Sequence, residues 1–409
     1  MIVVGSSEGR KPVYRNSSIA GLLAVLLVTL TVGCADQTPR LDAAPANTYA
    51  TPVGFRGIRY WGDSELKKLD QAIAERREQL AIAAKSDPTI NLKHADYLAI
   101  SGGGSDGAFG AGLLVGWTAA GSRPRFEVVT GISTGALSAP FAFLGPKYDG
   151  DLTRVYTTID NQDILVKKGA LQGLLGTSMA DNAPLRKFVA RYVTAQLVED
   201  VAKERAKGRR LFIGTTNIDA QRPVVWDMTA IAASDNPDKL NLFREVLVAS
   251  AAIPGVFPPE MIKVTADGKT FDEMHVDGGT ATQVFLMPGG NSLRDVDKAL
   301  GQTRSRSVYI IRNGTFAPKY KKMEASTLAI ASRAISTLIL NQGIGDIYRM
   351  YTDAKRDHTD FNVASIPADF SAPNTSDFDP VYMKALYQEG YGMAKAGTEW
   401  QKAPPGFKQ

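Results

Sequence analysis

Twice in quick succession this chain runs from a short apolar stretch into glycine and then into a helical pattern. Tyr97–Ser101 leads into Gly102-Gly103-Gly104-Ser105-Asp106-Gly107 and the helical run Ala108–Ala120. Glu127–Thr130 leads into Gly131-Ile132-Ser133-Thr134-Gly135 and the helical run Ala136–Leu144. A strand that turns at once into a helix brings the helix's first amides beside the strand end, and glycine allows so sharp a turn. The pattern continues with strands at Arg210–Thr215, Pro223–Trp226, Thr270–Val276 and Ser307–Arg312. Between them lie a helix at Leu242–Ala252, stopped by Pro254, and a hairpin turn at Asp267-Gly268. Such alternation predicts an α/β fold in which a mainly parallel sheet carries helices on both faces. Two longer helical patterns, Ser326–Asp353 and Asp379–Ala396, predict a helical C-terminal part, and Ala403–Gln409 is expected to fray.

Composition narrows the class. At 409 residues the chain exceeds one ordinary domain, and 44% hydrophobic with 22% charged residues excludes both a disordered chain and a polytopic membrane protein. The net charge of +5 is mild, and no Lys/Arg stripe is interleaved with aromatics, so neither composition nor pattern points to nucleic acid. The basic run Lys203–Arg210 reads as a helix end and turn before a strand.

A single cysteine, Cys34, excludes an internal disulfide and a cysteine-rich metal site. Its surroundings are specific. Arg10, Lys11 and Arg15 precede Ile19–Val32, fourteen residues without charge, and then Gly33 and Cys34. That apolar run is short for a membrane span and suits the core of a secretory signal. Gly33-Cys34 resembles the lipobox of bacterial lipoproteins, with Thr31 where leucine is usual. The resemblance implies a signal peptide over 1–33, an acylated Cys34, and a place in the bacterial cell envelope at the periplasmic face of the outer membrane. Ala35 is not the aspartate associated with inner-membrane retention, although Asp36 follows. Residues 34–60, with the Ala-, Pro- and Thr-rich run Ala35–Val53, read as a tether, and 61–96 as an N-terminal helical segment. Its helix is expected from an N-cap at Ser64 to Ala84, with Leu66, Leu69, Ile73, Leu80 and Ile82 on the buried face.

Three motifs carry chemistry. Gly131-x-Ser133-x-Gly135 between a strand and a helix holds a serine hydroxyl clear of the sheet, where a base can take its proton. The loop Gly102–Gly107 points backbone N–H groups at a helix N-terminus and fits two uses, a dinucleotide fingerprint or an oxyanion hole. Residues 121–124 hold no acidic residue for a ribose, and the next strand runs into Ser133; the oxyanion hole is the favoured use. Asp277-Gly278-Gly279 ends a strand and places a carboxylate to deprotonate Ser133 directly. Of the three histidines, His358 lies in the charged run Asp353–Asp360, His94 before the first strand, and His275 on the strand of Asp277. None is expected to be catalytic.

Together with Ala249–Pro259 (ASAAIPGVFPP), these motifs stand in the order found in patatin-like phospholipases, and the chain resembles that family over about residues 97–291. The resemblance implies a three-layer α/β/α fold, and the strand and helical patterns beyond it read as a C-terminal strand and helical extension over 292–409. It implies a serine lipid acyl hydrolase using a Ser133–Asp277 dyad, with the amides of Gly102, Gly103 and Gly104 as oxyanion donors and Gly107, Gly131, Gly135, Gly278 and Gly279 as motif glycines. Membrane lipids are then the substrate, with no metal, cofactor or nucleotide. One departure is Asp106, where many members carry Arg or Lys. A catalytically inactive lipid- or partner-binding lipoprotein is the alternative reading.

Overall fold

A computed structural model describes residues 40–45, 50–64, 70–88, 90–168, 177–287, 291–318 and 320–407; Cys34 and the signal-like segment before it lie outside these residues. Among the described residues ten strands form one sheet: β1 (Thr51–Pro52), β2 (Arg59–Trp61), β3 (His94–Ile100), β4 (Val128–Ile132), β5 (Arg210–Asn217), β6 (Arg222–Asp227), β7 (Glu260–Ala266), β8 (Lys269–Asp277), β9 (Ser305–Arg312) and β10 (Asp360–Ser365). Their order is β1-β7-β8-β5-β4-β3-β9-β10, with β6 pairing β5 and β2. Strands β10, β9, β3, β4 and β5 are parallel, whereas β6, β7, β8 and their edge partners are antiparallel. The expected mainly parallel sheet is therefore mixed. The reason is local: the turn at Asp267 (φ 49°) and Gly268 (φ 74°) folds β7 directly onto β8, and strands joined so tightly must run antiparallel.

The layers follow from β3. Leu98 and Ile100 face α2 (Gly107–Ala119) and α3 (Thr134–Leu144) in one apolar cluster, while Tyr97 and Ala99 face α5 (Thr327–Arg356) in another. A strand apolar on both faces belongs in the middle of a covered sheet. The helix expected at Leu242–Ala252 is α4 (Lys239–Ser250), and the last one is α6 (Pro380–Ala396). The segment after residue 291 is built into the sheet rather than appended: Ile311 of β9 pairs Ile100, and Ile310 pairs Val363 of β10. Helix α6 packs against α2 at backbone contact, since a Cβ on Gly112 would overlap the Tyr387 carbonyl and one on Gly390 the Phe109 carbonyl.

Other terminal expectations are corrected. Residues 40–53 do not behave as a free tether where described. Arg40 pairs with Asp219 at 2.5 Å, the Leu41 amide donates to Asp272, and β1 adds to the open edge of β7. Helix α1 (Asp70–Ser86) turns Arg76, Leu80 and Ala83 inward, while Ile82, expected inside, is 60% exposed. The periodicity misleads because a buried ion pair takes one inward position, Arg76 bonding Glu127 and the Gly208 carbonyl. Leu66 and Leu69 lie outside the described residues. The C-terminal end is docked to residue 407: Gln401 pairs Val363, Ala403 is buried, and Phe407 packs on Tyr348 and Tyr351.

Candidate active site

The site is assembled on one edge of β5. Strand β6 occupies the opposite edge along Phe212–Asn217. On the first edge, β4 pairs along Arg210–Gly214 and ends with Ile132 opposite Gly214. Strand β8 runs the other way and ends with Asp277 opposite the next residue, Thr215. The two strands thus meet end to end. Ser133, the first residue after β4, and Asp277, the last of β8, are brought together by register, close enough that the Ser133 hydroxyl favours the ionised Asp277 carboxylate.

Ser133 has φ 54° and ψ −125°, a backbone region that a non-glycine residue rarely occupies. Its surroundings hold it there. The Ser133 amide donates to Ser250 Oγ at 3.0 Å, and Ser250 Oγ donates to the Gly214 carbonyl at 2.7 Å. The Ser133 carbonyl accepts from Ala136 and Leu137, which starts α3 at once. A Cβ on Gly131 would lie 2.5 Å from the Gly135 carbonyl oxygen, and one on Gly135 2.6 Å from that of Ser101, so neither position accepts a side chain.

Asp277 is 5% exposed. Its amide donates to the Ala252 carbonyl, within the Ala249–Pro259 stretch, and its Oδ1 accepts from the Gly279 amide at 2.7 Å. Burial pushes its carboxyl from 3.8 up to about 7, against the pull of the nearby Ser133 hydroxyl and the Gly279 amide. Gly278 leaves room for the Gly214 carbonyl, and Gly279 donates the bond that orients the carboxylate.

The glycine loop needs a correction. The Gly102 amide donates to the Gln283 carbonyl at 3.1 Å, so it is not a free oxyanion donor. The amides of Gly103 and Gly104 donate no hydrogen bond among the described residues and precede α2. Gly104 has φ 58°, which glycine adopts without strain. Gly103 has φ 159° and lies against Asn313, whose carbonyl oxygen would collide with a Cβ there. Asn313 braces the loop: its Nδ2 donates to the Ser101 carbonyl, its amide to Ser101 Oγ, and its Oδ1 accepts from Gly110. Gly107 lies against the Thr134 side chain, letting α2 start beside α3. Asp106, at the atypical position, accepts a 2.6 Å bond from Tyr382 and ties the loop to α6.

No histidine hydrogen-bonds Ser133 among the described residues. His275 is buried with both ring nitrogens engaged, by Thr215 Oγ1 and Glu273, and burial lowers its pKa and favours the neutral ring. His94 contacts Ser305 and Asp96, and His358 lies in the exposed turn after α5. No metal-binding cluster of His, Cys, Asp or Glu occurs among the described residues.

A narrow cavity of about 40 Å³ opens beside Ser133 and Gly104, lined by Leu137, Val155, Ile159, Phe188 and Met383. Its walls suit an aliphatic chain. A larger cavity of about 410 Å³ lies between the sheet and α5, near Val224, Phe285 and Met350, and neither Ser133 nor Asp277 lines it. A serine beside a buried carboxylate, two uncommitted amides and an apolar slot together equip the site for acyl transfer. The sequence motifs do not single out Ser250, Gln283 or Asn313. Ser250 falls inside the Ala249–Pro259 motif, which is the one signal pointing to it; Gln283 and Asn313 act only through tertiary contact.

Residues 98–288 match the family model described as patatin-like phospholipase. No curated protein matches the chain. Among solved structures, VipD from Legionella pneumophila is similar at 12% identity, over 76% of this chain and 68% of its own, with a TM-score of 0.36. Human GIVD cytosolic phospholipase A2 is similar at 9% identity, over 74% of this chain and 54% of its own, with a TM-score of 0.30.

Proposed function

We propose that the patatin-like phospholipase domain formed by residues 98–288 hydrolyses fatty-acyl esters of membrane lipids through a Ser133–Asp277 dyad. The observation that carries this reading is the end-to-end meeting of β4 and β8 on β5, which sets a strained serine against a buried carboxylate. Asp277 takes the Ser133 proton as Oγ attacks the ester carbonyl. The amides of Gly103 and Gly104 receive the oxyanion, and each such donor is worth roughly 2.7–4 kcal/mol. The tetrahedral intermediate collapses as the protonated Asp277 hands its proton to the departing alcohol. Water then attacks the acyl-serine, losing its proton to Asp277, and the fatty acid leaves with Ser133 re-protonated. The slot lined by Leu137, Val155 and Phe188 takes the acyl chain.

A fluorophosphonate probe labels Ser133 alone in the wild type and nothing in Ser133→Ala. An unlabelled, folded wild type would instead favour the inactive lipid- or partner-binding lipoprotein.

We also propose that the chain is anchored in the bacterial cell envelope by acylation at Cys34, at the periplasmic face of the outer membrane. The charge-free run Ile19–Val32 ending at Gly33-Cys34 supports this. Labelled palmitate enters the wild type and not Cys34→Ser; equal incorporation in both would remove the anchor.

A further inference from the structure

Helix α5 is 30 residues long, about 45 Å at 1.5 Å per residue, yet only its second half is packed. From Gly343 onward it lies on the sheet, with Ile347 fully buried. Before that point it projects. Ile330 is 57% exposed, Ile335 53%, Leu338 70% and Ile339 39%. At 100° per residue these four, with Ala331 and Ala334, fill one half of the helix surface, while Ser332, Arg333, Ser336 and Thr337 lie on the other with Ala329 and Leu340. The charge beside this stripe is one-sided. Residues 319–345 carry Lys319, Lys321, Lys322 and Arg333 against Glu324 alone. Lys321 and Lys322 are exposed and make no ion pair among the described residues, and Tyr320 is 94% exposed.

The projecting half leaves the body beside the glycine loop. The Leu340 carbonyl accepts from Arg312, the residue before Asn313, and a Cβ on Gly343 would lie 3.3 Å from that of Gln283, whose carbonyl holds the Gly102 amide. No helix among the described residues is long and apolar enough to cross a membrane. An apolar half-cylinder flanked by unpaired lysines has the pattern of a helix that lies in a lipid headgroup layer.

We propose that Thr327–Leu340, with Lys321 and Lys322, is a docking surface for an anionic lipid bilayer. It would hold the glycine loop and Ser133 at the level from which a lipid ester enters. The choice of a lipid surface as occupant rests on the hydrolase reading, and the test is independent of turnover.

The mature chain from residue 34 carrying Cys34→Ser/Ser133→Ala, which has neither the apolar Ile19–Val32 run, an acyl anchor nor the serine nucleophile, is floated with phosphatidylcholine vesicles, with and without 30% phosphatidylglycerol. It should partition onto the phosphatidylglycerol vesicles. Adding Ile335→Glu/Leu338→Glu should lower that partition by about tenfold or more, with the melting temperature unchanged because both side chains are exposed. Adding Lys321→Glu/Lys322→Glu should weaken binding to the anionic vesicles by about fivefold per lysine, and much less on phosphatidylcholine alone. Partition unaffected by Ile335→Glu/Leu338→Glu overturns the proposal. So does a wild-type dimer that this double substitution dissociates while vesicle binding persists, since the face then belongs to a second copy of the chain. Failure of Ser133 to label in the otherwise wild-type protein would remove the hydrolase reading and leave this measurement standing.

Discussion

Asp277→Asn lowers kcat/KM for ester hydrolysis by about a thousandfold or more, roughly 4 kcal/mol of transition-state stabilisation, while His94→Ala and His358→Ala stay within about tenfold of wild type. The asparagine amide can still accept from Gly279, so that bond survives, but it cannot take a proton. Loss of fold does not account for the effect. The folded carboxyl titrates near 7 against an ordinary 3.8, so the native state keeps a proton that the unfolded chain has lost. Stability contributed by this group therefore falls as pH rises from about 4 to 7 and is flat above, and the neutral amide avoids that cost. At pH 8 Asp277→Asn should melt no lower than wild type. The same titration sets the rate. Below about 7 the wild-type kcat/KM should rise nearly tenfold per pH unit and then level, as the base loses its own proton. His94→Ala, His358→Ala and His275→Gln should keep that midpoint. A thousandfold loss in folded His358→Ala, or a midpoint that disappears with any histidine, would require a triad and overturn the dyad.

The amino-acid sequence makes legible whatever is encoded locally. Each of the two glycine turns follows an apolar run and leads into a helix, so pattern alone locates Ser133 and the loop. The sheet is legible as strands but not as directions. The turn at Asp267-Gly268 is visible, yet only its consequence for β7 and β8 makes the sheet mixed and turns β8 to meet β4. The meeting of Ser133 and Asp277 depends on consecutive registers on β5, Gly214 and Thr215, and no local pattern states that. Helix α1 shows the opposite error. Its apolar positions are real, but Arg76 paired with Glu127 turns inward and Ile82 outward, because a satisfied buried ion pair can take a place that periodicity assigns to an aliphatic side chain. Gly102 is the subtlest case: the residue type is right for a donor, and a carbonyl distant in sequence, Gln283, has already taken its amide.

That last distinction separates three neighbouring glycines experimentally. Gly103→Ala should lower kcat by about a hundredfold to a thousandfold with KM little changed, the cost of misplacing one oxyanion donor of roughly 2.7–4 kcal/mol. The new Cβ meets the Asn313 carbonyl, and Asn313 is fixed by bonds to Ser101 and Gly110, so the loop has to yield instead. Gly104→Ala meets nothing within 4 Å but sits at φ 58°. It bears only the left-handed conformational cost of about 1–2 kcal/mol. Its amide keeps its direction, so its loss in kcat should be the smaller of the two. Gly102→Ala would bring a Cβ to 3.0 Å from Gln283 Oε1 and 3.3 Å from Ser133 Cβ, but it removes no free donor. Its effect should appear as a modest change shared between kcat and KM. Fluorophosphonate labelling of Ser133 should slow in the same order, because phosphonylation places negative charge on the oxygen facing the same amides. A folded Gly103→Ala protein that keeps more than a tenth of wild-type kcat would mean that the acyl oxygen binds elsewhere, away from the loop after β3.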